Sequence, residues 1–119
     1  MRRLHAHLWP LLFFSSLLLL GGCRLRKDPN IPLDPQQTRG RIIFRRSCAI
    51  CHDAYSTSPQ QGPGLEGLFK NKYLPASGAP ANDERVREVI QSGRRTMPAF
   101  SNLLDDQQMD DLMAFLHTL

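Results

Sequence analysis

The chain has 119 residues, enough for one small domain, and its 41% hydrophobic content fits a sequence that folds. The formal charge of +4 does not mark a nucleic-acid binder, because Arg2 and Arg3 lie in a leader-like segment. Without residues 1–22 there remain 13 basic and 11 acidic side chains, a formal +2, and no basic cluster interleaved with aromatics.

The first stretch, "MRRLHAHLWPLLFFSSLLLLGGC", has a basic end, an apolar run over residues 8–20 and small residues leading to Cys23. This is the pattern of a secretory signal peptide over residues 1–22. A transmembrane anchor would need about 20 apolar residues, and this run is shorter and broken by Pro10, Ser15 and Ser16. Leu20, Gly21, Gly22 and Cys23 resemble the lipobox of bacterial lipoproteins, which predicts lipidation at Cys23. That leaves Cys48 and Cys51 as a pair among the three cysteines. Residues 23–33 read as a lipidated start and flexible tether, since "RLRKDPNIPL" has charges, two prolines and no apolar period. Its ten residues reach at most about 35 Å. Arg24, Arg26 and Lys27 stand where they can meet anionic headgroups.

Residues 34–119 are expected to form the folded domain. A first helix is predicted from Asp34 and Pro35, an N-cap followed by a first-turn proline, running through "QQTRGRIIFRRS" into the motif below. Gly40 lies one turn before Phe44, and a mid-helix glycine costs about 1 kcal/mol against alanine, so another helix is expected to cross there. Residues 57–80 hold four prolines and four glycines and read as a long loop, with one helical turn around residues 65–70; such loops usually wrap something. A second helix is predicted from Asn82 to just before Gly93, with Val86, Val89 and Ile90 on one face. The last helix starts at Asp105 with Gln108 three residues on, a capping-box variant, and Leu104 and Met109 are placed for a hydrophobic staple. Met109, Leu112, Met113 and Leu116 form its apolar stripe. Neither an internal repeat nor strand-like alternation is present.

The chemistry sits in "CAICH". On a helical turn, residues three and four apart share a face, so Cys48, Cys51 and His52 point one way. Zinc needs four ligands, and no second ligand pair stands at a useful spacing. A thioredoxin-like disulfide needs a strand before the pair, whereas the preceding residues are helical. Haem matches best: in Cys-x-x-Cys-His the two thiols bond covalently to the haem vinyl groups and the adjacent imidazole reaches the iron.

With "GRIIFRRSCAICH", "GPGLEGLF", "RVREVIQSGRRTMPAF" and "MDDLMAFLHTL" in this order, the sequence resembles the class I c-type cytochromes over nearly all of residues 34–119. The resemblance implies an all-α fold, three main helices plus long loops wrapped around one haem c. A low-spin electron-transfer haem takes a sixth ligand, and a thioether raises its potential. Met97 is the candidate, because Pro98 pushes it out of helical geometry on a loop after the Gly93 stop, whereas Met109 and Met113 read as core. The resemblance further implies that the Pro63 carbonyl accepts the proton of the outer nitrogen of His52, and that Gly40, Phe44 and Phe115 meet at the crossing of the first and last helices. Tyr73, Arg94 and Arg95 are candidate partners for the haem propionates. Trp9, the sole tryptophan, falls in the leader.

The expected protein is a monomeric carrier of single electrons, lipid-anchored on the periplasmic side of a bacterial membrane, with redox proteins as partners, no substrate and no nucleic acid. Two alternatives stay open: a haem subunit docked to a larger oxidoreductase, and a gas sensor or weak peroxidase in which Met97 leaves the iron.

Overall fold

The computed structural model describes residues 29–119; the leader, Cys23 and the first part of the tether lie outside them. Residues 29–34 have no regular structure, but Leu33 already packs on the core. Three helices follow, α1 (Pro35–Ser47), α2 (Asp83–Ser92) and α3 (Asp106–Leu116). The described residues contain no strand, only isolated bridges between Tyr73 and Pro80 and between Arg94 and Met97. None of the described helices is long and apolar enough to cross a membrane.

Each helix starts where side-chain oxygens can receive its unpaired N–H groups. Asp34 Oδ1 accepts from the Gln37 N–H at 2.8 Å and Gln37 Oε1 accepts from the Asp34 N–H at 3.0 Å, a reciprocal box behind Pro35. Asp105 and Gln108 repeat the arrangement at α3, at 2.8 and 3.1 Å. Asn82 Oδ1 accepts from the Arg85 N–H at 3.0 Å to open α2, and Gly93 closes it at φ +70°. Replacing such a cap by alanine typically costs about 1 kcal/mol.

α1 ends at Ser47, directly before the motif, where "QQTRGRIIFRRS" was expected to bring it. The Phe44 carbonyl accepts from both Cys48 N–H (2.8 Å) and Ala49 N–H (3.0 Å), so the regular ladder stops at Ser47. One separate turn follows, in which the Cys51 and His52 N–H groups both donate to the Cys48 carbonyl at 3.0 Å. Near residues 65–70 the chain forms hydrogen-bonded turns, with the Lys70 and Asn71 N–H groups donating to the Gly67 carbonyl at 2.9 and 3.2 Å.

The core is built where α1 crosses α3. Gly40, Ile43 and Phe44 of α1 are buried, as are Met109, Leu112, Met113, Phe115 and Leu116 of α3. Each such apolar side chain contributes about 1.5–3 kcal/mol when fully buried. The Phe44 and Phe115 rings lie 5.4 Å apart, tilted by 53°. At Gly40 the approach is so close that a Cβ would stand 1.9 Å from the Asp111 carbonyl oxygen and 2.8 Å from Phe115 Cβ. Only glycine fits, which is the expected crossing.

The same residue, Asp111, anchors the crossing with its side chain. The carboxylate is 3% exposed and takes a two-pronged contact from Arg39, Nε to Oδ2 at 2.7 Å and Nη2 to Oδ1 at 2.9 Å, while Gln107 Nε2 donates to Oδ1 at 3.1 Å. The Arg39 guanidinium holds the Asp111 carboxyl below the usual carboxylate range, against the opposing effect of burial. A second tie joins α3 to α2: His117 Nε2 lies 2.9 Å from Asp83 Oδ1, and its ring stacks on Phe69 at 4.0 Å.

Two expectations follow. Gly40→Val should lower stability toward chemical denaturation by at least the upper part of the ~1–3 kcal/mol range for overpacking, because the obstacle is backbone and cannot turn aside. The depressed pKa of Asp111 gives stability that is present above the unfolded carboxylate pKa of about 4 and is lost as pH falls through the lower folded value. An Asp111→Asn protein should therefore be less stable at neutral pH and show a weaker fall in melting temperature between pH 5 and pH 2.

Candidate functional site

The turn after α1, the loop after it, α2 and the loop after α2 enclose one cleft with two lobes. The inner lobe, about 110 Å³, is walled by Phe44 from α1, Val86, Val89 and Ile90 from α2, Leu112 and Leu116 from α3, and Leu68 and Leu74 from the long loop. An outer lobe of about 420 Å³ opens past Cys51, Ile50, Gln61, Arg95 and Pro98. Cys48, His52, Pro63, Arg94 and Met97 line both. The long loop thus wraps a cavity, as its length suggested.

The sequence-predicted residues converge here. Cys48 lines both lobes, and burial first, then its neighbour Cys51, pushes its thiol up to about 11. Cys51 lies at the outer lobe only, its thiol 3.4 Å from Gln61 Oε1. His52 Nδ1 is 2.9 Å from the Pro63 carbonyl oxygen. A carbonyl can only accept, so the proton of neutral His52 sits on Nδ1 and Nε2 keeps its lone pair for a metal. Gly62 lies over the imidazole: a Cβ there would stand 2.4 Å from Cε1 and 2.8 Å from Nδ1.

Met97 reaches the cleft from a tight turn. Its N–H donates to the Arg94 carbonyl at 2.9 Å, and the Arg94 N–H donates to the Met97 carbonyl at 3.0 Å. Behind the turn, a Cβ on Gly93 would stand 2.7 Å from both the Met97 carbonyl oxygen and the Ala99 nitrogen, so glycine is required by space as well as by its positive φ. Met109 and Met113 are 4% and 2% exposed and line neither lobe, in keeping with a core role. Arg94 and Arg95 reach the cleft. Tyr73 does not: it lies outside both lobes, 51% exposed, with Lys72 Nζ 5.3 Å over its ring.

A flat, largely apolar group with a metal at its centre suits this lining. The inner lobe is apolar but for Cys48, His52, Ser77, Arg94 and Met97, so one imidazole and one thioether of the lining could serve as donors to a metal, and the thiols of Cys48 and Cys51 both line the outer lobe. Reading residue by residue had not singled out Gly62, which a loop pattern cannot place over a particular ring.

The family described as "Cytochrome C oxidase, cbb3-type, subunit III" matches residues 35–116. The chain is 29% identical to cytochrome c6 of Bryopsis maxima over 65% of its own length and 84% of that protein's. It is 34% identical to the "Cytochrome bc1 complex cytochrome c subunit" of Corynebacterium efficiens over 71% of this chain but 26% of that one. Identity to the "Cbb3-type cytochrome c oxidase subunit FixPc" of Rhizobium leguminosarum bv. viciae is 31%, covering 76% of this chain and 30% of the relative. With Cys48, Cys51 and His52 in the haem-attachment pattern at the mouth of an apolar cleft, the chain belongs to this family: it is a class I, mono-haem c-type cytochrome that carries covalently attached haem c and serves haem-based electron transfer.

Proposed function

We propose that the protein carries single electrons between redox proteins at the periplasmic face of a bacterial membrane, held there by lipid on Cys23, and converts no substrate. The observation that supports this reading is the cleft whose lining holds both the His52 imidazole and the Met97 thioether, two side chains suited to ligate iron. When bound, haem c supplies a centre that takes up and gives back one electron. Cys48 and Cys51 would hold the group by two thioethers. His52, oriented by its bond to Pro63, and Met97 would be the residues that ligate its iron. Phe44, Leu68, Val86, Ile90 and Leu112 exclude water from the inner wall, which limits the solvent reorganisation that accompanies a change of charge. The lining holds neither a carboxylate nor a lysine, which supports transfer of electrons over acid–base chemistry.

A second reading, a haem domain docked permanently to a larger oxidoreductase, is favoured by the matches to a bc1 complex subunit and a cbb3-type oxidase subunit. Extraction in mild detergent separates the two: a lone lipoprotein supports the carrier, and a partner that co-purifies in fixed ratio supports the docked subunit.

Met97→Ala should abolish the far-red charge-transfer band of the oxidised protein, lower the potential and admit carbon monoxide to the reduced form. Met109→Ala and Met113→Ala should leave the band and cost about 2–5 kcal/mol of stability each. If carbon monoxide binds the unaltered protein quickly, Met97 is a labile ligand and the sensor reading takes its place. Gly62→Ala should displace the imidazole and weaken its bond to Pro63, seen as faster solvent exchange of the His52 Nδ1 proton in NMR of the ferrous protein. Cys23→Ser should release the domain from the membrane fraction, or block its processing, with the haem spectrum unchanged.

A further inference from the structure

Charge falls into two blocks along this chain. From residue 23 to residue 47 there are seven Lys and Arg against two Asp, and from residue 48 to residue 119 there are six Lys and Arg against nine Asp and Glu. An excess of opposite sign in two parts of one small chain bears on what its surface meets, not on the fold. The helices carry the division. α1 has Arg39, Arg41, Arg45 and Arg46 and no acidic residue, α3 has Asp106, Asp110 and Asp111 and no basic one, and α2 mixes both signs.

Within α1 the arginines surround an apolar side chain that the core does not use. Ile42 is 60% exposed, whereas Ile43 beside it is buried. Residues three and four positions apart share a helix face, so Arg39, Arg45 and Arg46 border Ile42, and Arg41 flanks them. Arg39 bonds Asp111 and is still 54% exposed. The buried side of the helix, Gly40, Ile43 and Phe44, meets acidic α3, which puts the positive and the negative block on opposite sides of the domain. Position along the chain says what the positive side meets. Leu33 packs on the core next to the start of α1, so the tether, with Arg24, Arg26 and Lys27 in its sequence, reaches the domain at this helix. A lipid on Cys23 would keep that entry point within about 35 Å of a bilayer, where arginines are drawn to anionic headgroups and an apolar side chain can enter the interface. Such a surface is present whenever the protein is anchored, and an acidic protein is not.

We propose that the exposed side of α1, Ile42 with Arg39, Arg41, Arg45 and Arg46 about it, lies on the anionic headgroups of the bilayer that holds the protein, with the helix axis along the surface. This contact fixes how the cleft at the end of α1 is presented. The proposal rests on the reading of Cys23 as a lipid anchor.

The test uses the haem-loaded lipoprotein in phosphatidylcholine vesicles with or without phosphatidylglycerol. Accessible guanidinium groups are modified with phenylglyoxal and read by mass spectrometry. Phosphatidylglycerol should slow modification of Arg41 and Arg46 severalfold at low salt, with Arg94 and Arg95 unchanged as internal standards. The protection should vanish at about 1 M salt, where the screening length is about 3 Å. Ile42→Asp, with the melting temperature and haem spectrum of the parent, should lose most of the protection at both arginines. Arg46→Gln, at an exposed position, gives a second check through reduced protection of Arg41. Equal modification on both kinds of vesicle would overturn the proposal, as would stronger protection of Arg94 and Arg95 than of Arg41 and Arg46. So would protection of α1 by free polyglutamate but not by the vesicles, which would make it a protein contact. Protein washed from the vesicles at high salt refutes the lipid anchor, and the low-salt footprint still decides the face. Protein retained without a footprint refutes only the face.

Discussion

The contact between the backbones of α1 and α3 at Gly40 sets the positions of the parts that make the cleft. α1 delivers Phe44 to the inner wall and, one turn later, Cys48; α3 delivers Leu112 and Leu116 to the same wall. A side chain at position 40 would push the helices apart and carry the cysteine turn away from the surface that closes the cavity. Arg39 and Asp111 act at the same level of the helix pair, so steric fit and charge both fix one crossing. The buried carboxylate is tolerated because two guanidinium N–H groups and an amide replace the water it has lost.

α2 is held differently. It touches α3 over a small area and is tied chiefly at its ends, by His117 on Asp83 at the start and by the Gly93 turn at the finish. The Phe100 N–H donates to the Ile90 carbonyl at 3.0 Å, which binds the chain after Met97 back onto the helix. Helix and methionine loop therefore form one unit whose remaining apolar surface, Val86, Val89 and Ile90, faces the cleft.

What could be read from sequence was local. Caps at Asp34, Asn82 and Asp105 depend on residues within three positions, and all three structures are present. Gly40 announced a close crossing because a mid-helix glycine is unfavourable without one. The ion pair beside that crossing lay beyond such reasoning: Arg39 and Asp111 are 72 positions apart, and neither residue type signals burial. The reach of α1 to Ser47 was legible in "QQTRGRIIFRRS", but the form of the turn that follows was not, because it depends on one carbonyl, that of Phe44, accepting two N–H groups. Tyr73 looked like a propionate partner by its loop position, but the Tyr73–Pro80 bridge belongs to a turn that leaves it outside the cleft.

α1 also separates two ends of the molecule. Leu33 rests on the core where the chain enters this helix, and the cysteine turn follows where it leaves, 13 residues on, a distance of about 20 Å. A domain held through the residues before Leu33 would thus pivot about one end of α1 and present its open cleft at the other. With such an attachment the helix would act as a lever arm, so that a swing at the held end would move the mouth of the cleft, about 20 Å away, through an arc.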